Sequence, residues 1–510
     1  MSSGPRPSAP KLDALLASGT MTSSLATYVP SMIFQKGLGL GRVLLLLHLL
    51  REARDQYGLW AIAGMVAALG APILTAGANH GLGRYVSYYE ARGELGRFYR
   101  QVRWWVLGIV VLLTVAAAGL SGPITQAAFV QQGQSLTAGQ WAAMRGLCLL
   151  ALANAGLLAL HYNVLAICYG LRAYRLASGL EMLFGVLFTI AGPLVLWYWP
   201  TASAVLWAHL ASLTATLLAG IWLVHLAIER RSSIASPTGQ GDSAGRTLRR
   251  VLRFGIAAMV GGLCWQLTGY VSFYIASKKL GPADGGVFNA FWLLAQPVAF
   301  LAASAWSVLY AHTASRWESG DKLGATDALE AAYKAVSLAL LALAVAIDAT
   351  APLWVRVVPP GYRQGLPLLP WLLLFFQTTA QLSLVTMLAQ LRHRPTAALV
   401  ALAGAALNAG LALWGVAQWG LFGAAWAAGI GLYVGGGLAA LIYLITARAG
   451  LHRGTYIVLA APALLMLPVW ASGAALAGLI MASIASETIF SPPQKAAIVK
   501  AAKRLLTSSQ

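Results

Sequence analysis

The sequence predicts an all-α polytopic membrane protein: two six-helix lobes, arranged as parallel repeats around a central cavity, plus one or two C-terminal helices. Three observations predict it. The first is composition: of 510 residues, 59% are hydrophobic and 10% charged, with mean hydropathy +0.70, where a soluble globular chain carries about 25% charged residues. Too few polar side chains remain to cover a water-facing surface, so lipid must cover much of it. The second is a regular series of long apolar runs. The third is the placement of arginine between them.

A bilayer core of about 30 Å takes about 20 apolar residues per helix. Runs of that order stand at 24–50, 58–83, 104–121, 143–168, 174–198, 203–228, 254–277, 286–311, 332–354, 366–390, 396–418 and 421–446. With the amino terminus cytoplasmic, the connections after the even-numbered runs hold 20 Arg and Lys, among them Arg84, Arg92, Arg97, Arg100 and Arg103, and also Lys334. The opposite connections hold 6. Short cytoplasmic loops retain positive charge, so the asymmetry orients the chain.

Residues 1–23 read as a cytoplasmic tail, Pro- and Ser-rich and without the apolar stretch of a cleaved leader. The first lobe is 24–228. A linker at 229–253 contains SSIASPTGQGDSAG, a flexible composition. The second lobe, 254–447, echoes the first at an offset of 228 residues: Gly58 with Gly286, Glu90 with Glu318, Leu95 with Leu323, Gly96 with Gly324. Six helices is an even number, so both halves begin on the same side and the repeats are parallel, as in some transporters. Within 448–510, Thr455–Ser486 has no charge over 32 residues, long for one helix and short for two. A tight hairpin near Ala471-Ser472-Gly473 would return the basic tail (Lys495, Lys500, Lys503, Arg504) to the cytoplasm.

Several function classes fall away. The net charge is +20, which in a soluble protein would point to nucleic acid. Here the Arg lie in short loops between apolar runs, with no zinc-finger spacing or basic helix, so no nucleic-acid partner is expected. Cys148, Cys168 and Cys264 all lie inside apolar runs and read as small buried hydrophobes, not as a disulfide or metal site. No phosphate-cradling GxxxxGK[ST], HExxH or GxSxG occurs. The expectation is a non-enzyme without cofactor or metal. Glu181 and Asp348 are the carboxylates well inside apolar runs, and both read as helix-end residues reaching the interface.

The informative residues are the basic and polar ones within spans. In PSMIFQKGLGLGRVLLLLHLL, Lys36 and Arg42 stand six positions apart in an apolar run. A central charge costs several kcal/mol against lipid, so both should face protein or a water-filled cavity. Six residues make about 600° of helix, so the two flank one face. Gly37, Gly39 and Gly41 between them allow close packing or a bend. Read as function, this is an anion site, with Arg42 able to grip phosphate through paired donors; read as structure, the two snorkel to an interface. Asn79 and His80 end the second run beside Arg84, and Arg145 stands at the start of the fourth. These complete the candidate substrate contacts, although interhelical hydrogen bonding is the plainer role for such residues.

At this point the pattern resembles a known superfamily, the multidrug/oligosaccharidyl-lipid/polysaccharide exporters, and within it the oligosaccharide flippase branch. LLREARDQYGLWAI resembles the link after the first helix and KKLGPADGGVFNAF its counterpart after the seventh. GLGRYVSYYEARGELG resembles the segment ending the second helix, and WGLFGAAWAAGIG the opening of the twelfth. Related flippases of peptidoglycan precursors carry two basic residues of the first helix in a cationic cavity, and Lys36 and Arg42 fall on those positions. The sequence departs from a symmetric picture, since no charge lies between Arg253 and Lys278 or between Asp284 and Arg316. The resemblance implies a flippase of the bacterial inner membrane. Its substrate would be an undecaprenyl-diphosphate-linked oligosaccharide for exopolysaccharide or O-antigen synthesis, and its partners membrane lipid and the polysaccharide assembly machinery. Two alternatives stand beside it: a cation-coupled drug or metabolite antiporter of the same superfamily, which usually needs central carboxylates, and a membrane polysaccharide polymerase or ligase, which would need a large outer loop.

Overall fold

The computed structural model describes residues 21–232, 244–392, 396–447, 450–496 and 498–499. The amino-terminal tail to residue 20, the central part of the linker and the end of the basic tail lie outside the described residues. The described residues are helical or connecting, without a strand. The chain divides into two compact units at Leu263/Cys264.

The first unit contains α1 (Met21–Leu49), α2 (Arg54–Leu74), α3 (Ala78–Ala91), α4 (Leu95–Gly119), α5 (Ser121–Ala128), α6 (Ala138–Gly170), α7 (Tyr174–Tyr198) and α8 (Ala202–Ser232). The start of α9 (Ala244–Leu280) also belongs to it. The predicted second run is therefore not one helix. Pro72 weakens its last turn, and Ala76 and Gly77 take left-handed conformations (φ 47° and 73°). The cause is tertiary: the chain here passes so close to α9 that a Cβ on Gly77 would stand 2.1 Å from the carbonyl oxygen of Gly255. Only paired glycines permit that approach. The third run also begins earlier than its apolar core, because α4 continues outward through Arg97, Arg100 and Arg103 to residue 95. α6 starts on a full capping box between Thr137 and Gln140.

The second unit continues α9 and adds α10 (Pro282–Ala295), α11 (Pro297–Glu318), α12 (Lys322–Ala349), the short α13 (Ala351–Val357), a 3-10 segment at Pro360–Leu368 and α14 (Leu369–Leu391). α15 (Thr396–Ile430) follows, then a π segment at Gly431–Gly436 and α16 (Gly437–Thr446). The predicted eighth run is broken like the second: α10 and α11 meet at Gln296 with a 45° bend. α15 is in truth a hairpin. Gly420 has φ 56°, ψ −131°, accessible to glycine alone. From there contacts step outward, Gly415 with Gly423, Asn408 with Gly431, Ala403 with Gly435.

Ten helices among the described residues are long and apolar enough to cross a bilayer, and the bent pair α10–α11 makes one more. The 49-residue stretch Ala398–Thr446 counts once in that ten; as a hairpin it crosses twice. The predicted series of twelve runs is thereby accounted for, in a multi-pass membrane protein.

Each unit repeats the same pairings. In the first, α1 runs parallel to α7 (Gln35 with Glu181, Arg42 with Phe188, Leu46 with Gly192). α2–α3 runs parallel to α6 (Gly70 with Ala155, Ser87 with Gly170) and α6 to α8 (Asn154 with Leu206, Val164 with Gly220). In the second, α9 runs parallel to α15 (Thr268 with Ala401, Lys279 with Leu413). α10–α11 runs parallel to α14 (Trp292 with Phe376, Trp306 with Ala380) and α14 to the returning arm (Trp371 with Gly429, Leu382 with Gly436). First with fifth, second with fourth, fourth with sixth: each unit carries the same set of helix pairings. The turns agree, since Gly93 and Gly320 both have positive φ and precede Glu94 and Asp321, the N-caps of α4 and α12.

Beyond the second lobe lie α17 (Arg453–Ala460), a 3-10 segment at Ala461–Met466 and α18 (Val469–Ala485). The break falls at Leu467-Pro468, not at Ala471–Gly473, because a proline here ends the preceding turn. Ser472 lies inside α18 and donates to the freed carbonyls of Leu464 and Leu467. Lys334, read from sequence as a loop charge, is instead fully buried in α12. It contacts Glu330 at 2.8 Å and donates to Gln494 at 3.1 Å, while Glu330 accepts from His452 N at 2.8 Å and from Thr455. This ion pair fastens the C-terminal segment to α12. The three cysteines are free and buried.

Candidate functional site

The cations of α1 meet a polar cluster inside the first unit. α1 lies along α7, and both Lys36 and Arg42 are half-buried there. The Arg42 guanidinium sits 4.3 Å above the ring of Phe188, a desolvated cation–π contact worth up to about 2 kcal/mol. Its Nε has no hydrogen-bond partner, and among the described residues no carboxylate pairs with it. An arginine held by its flat face keeps its in-plane donors for something else.

Behind Phe188 stands His209 of α8, its ring edge-on to Phe188 at 4.9 Å and to Phe184 at 5.2 Å. Asn154 of α6 fixes the tautomer. Its amide nitrogen donates to the Leu150 and Leu206 carbonyls, so its oxygen faces His209 Nδ1 at 2.7 Å and must accept. His209 therefore carries its proton on Nδ1. His161 of α6 packs near Phe184 at 6.2 Å, with Nδ1 unpartnered.

Lys36 stands six residues before Arg42, near Glu181 of α7, whose carboxylate attracts it. Glu181 accepts a hydrogen bond from Tyr169 at 3.4 Å, and its backbone carbonyl accepts one from Gln35 at 3.2 Å. This corrects the expectation that no central carboxylate accompanies the two cations: Glu181 faces α1 instead of reaching an interface. Two fixed cations against one carboxylate still leave the cluster positive. A second correction concerns the α1 glycines. A Cβ on Gly37 or Gly41 would meet nothing within 4 Å, so neither serves close packing here.

The other candidates stand elsewhere. Asn79 accepts from Thr75 at 3.3 Å, His80 and Arg84 are exposed, and Arg84 lies 4.6 Å over Phe254 of α9. α3 rests on α6 and α9, away from the α1–α7 seam. Arg145 donates to Ser121 at 3.1 Å and so ties α5 to α6. Phe188, His209 and Asn154 were not singled out by sequence as partners of Arg42. The available signals were Asn154, a polar residue within the fourth apolar run that reads as an interhelical hydrogen-bonding residue, and His209, a lone histidine within the apolar run TASAVLWAHLASLTATLLAG.

No protein-family model and no curated protein matches the sequence. Solved structures do. An inward-facing multidrug resistance MATE family transporter of the MOP superfamily superposes with TM-score 0.62 at 14% identity, over 84% of this chain and 99% of that one. An outward-facing one gives TM-score 0.59 at 16% identity, over 87% and 98%. The fold is that of the MATE transporters. A third neighbour is a MOP superfamily transporter from Pyrococcus furiosus Vc1, described as having a binding pocket of reverse polarity that suggests a different function. It matches with TM-score 0.54 at 16% identity, over 87% of this chain and 98% of its own.

Proposed function

We propose that this chain is a MOP-type membrane transporter, with an N-terminus-in topology, that moves a lipid-linked, diphosphate-bearing oligosaccharide across the bacterial inner membrane for polysaccharide assembly. The carrying observation is Arg42, a guanidinium within a span that lies on Phe188 without a carboxylate partner among the described residues. Lipid does not solvate such a charge, and planar paired donors suit a phosphate oxygen pair. Lys36 adds a second cation to the same cluster. A cation-exporting drug carrier would place net negative charge there. The neighbour described as having a pocket of reverse polarity supports the idea that pocket polarity, and with it function, varies on this fold.

The antiporter reading rests on one observation, Glu181, a span carboxylate facing Lys36, together with the multidrug transporters among the neighbours. Substitution separates the two readings. Arg42→Ala is expected to abolish polymer export while the protein inserts and accumulates normally, and Arg42→Lys to retain part of it, since charge stays and paired donation goes. Normal export from stably expressed Arg42→Ala would reject the site.

A further inference from the structure

The first unit carries a second feature that the α1 cluster does not use. A groove of about 570 Å³ opens between α4, α6 and α8, within the roughly 300–1,000 Å³ of ordinary ligand pockets. Its walls are mostly aliphatic and aromatic, including Leu107, Leu160, Leu217 and Ile221, and among them stand the polar Arg103, Tyr99, His225 and Asn163. Along α8 the lining runs from Leu217 to Ile228, eleven residues or about 16 Å. That is half of a hydrocarbon core of about 30 Å, the depth of one leaflet.

Among the polar residues, Arg103 brings the positive charge. Arg103 is exposed, lies 5.2 Å from the Trp104 ring and 5.7 Å from Tyr99, and pairs with no carboxylate among the described residues. Glu229, one turn beyond His225 on α8, is engaged by His225 at 3.1 Å. Trp104 and Trp222 line the groove and are exposed, and such amphipathic aromatic side chains favour a lipid–water interface. Basic pockets between membrane helices on the positive side select anionic headgroups.

We propose that this groove holds one anionic diacyl phospholipid of the adjacent leaflet, an acyl chain lying along α4 and α8 and the phosphate at Arg103. Half-bilayer depth favours an acyl chain over a long polyprenyl tail, and the guanidinium of Arg103 favours an anionic over a zwitterionic head. The site is independent of the transported substrate.

The test is native mass spectrometry of the delipidated full chain, titrated separately with phosphatidylglycerol and phosphatidylcholine of identical chains. Wild type is expected to retain one phosphatidylglycerol in preference to phosphatidylcholine. Arg103→Gln should lower that retention about fivefold with phosphatidylcholine unchanged. Ile221→Trp, which fills the groove from its exposed side, should lower both. Arg97→Gln, exposed but outside the groove, should leave both as in wild type. Unchanged phosphatidylglycerol retention in Arg103→Gln, or in Ile221→Trp, would overturn the site. An equal loss in Arg97→Gln would reduce it to diffuse surface charge. None of these outcomes bears on export, so the transport reading stands or falls separately.

Discussion

Lys36 and Arg42 belong to one helix, yet their surroundings differ in kind. Lys36 faces a carboxylate, whereas Arg42 faces an aromatic ring. Both charges were legible in the sequence because a charge within an apolar run is rare and costly. Phe188 and His209 were not, because an aromatic residue or a lone histidine in a span is ordinarily packing. If Phe188 positions the guanidinium, Phe188→Leu should impair export with little loss of protein, since a near volume-conserving core change costs under about 1.5 kcal/mol. Transport and abundance measured on the same cells check this. Export unaffected by Phe188→Leu would leave Arg42 positioned by something else.

At the scale of elements, the sequence located every apolar run but not the breaks, which come from contacts between distant segments. Gly77 and Gly255 lie 178 positions apart in the chain and touch through their backbones; no local pattern announces that. Gly77→Ala would combine a strained φ with a Cβ 2.1 Å from a carbonyl oxygen, and is expected to prevent accumulation of folded protein, read as a monodisperse peak after detergent extraction. Gly420→Ala should cost of the order of 1–3 kcal/mol at the hairpin turn. Lys334 shows the opposite error, a charge assigned to a loop that belongs inside a helix. The i,i+4 pair Glu330–Lys334 was the available clue. Removing one partner, as in Lys334→Met, leaves a buried uncompensated carboxylate and should cost about 3–5 kcal/mol. The double change Glu330→Gln with Lys334→Met should recover much of it. Thermal unfolding in detergent reads both, and equal stability of the single variant and wild type would show that the pair does not hold the C-terminal segment.

For the whole molecule, charge asymmetry predicts which side each turn occupies. The exposed turn residue Ser319 belongs to the basic side, and the exposed Gln132 of the α5–α6 connection to the other. Ser319→Cys should react with an impermeant maleimide after permeabilisation, and Gln132→Cys in intact cells. Ser232, although on the basic side, is the poorer reporter because its hydroxyl is buried. The reverse labelling would overturn the orientation. The likeness to MATE transporters fixes the fold and leaves the sign of the substrate to the α1 cluster. The most direct measurement reconstitutes the purified chain in vesicles holding a fluorescent undecaprenyl-diphosphate oligosaccharide and follows its access to an external quencher. Wild type should expose the inner-leaflet pool, and Arg42→Ala at equal incorporation should not. An inner pool that stays protected with wild type, in vesicles that instead accumulate a lipophilic cation against a proton gradient, would contradict the account.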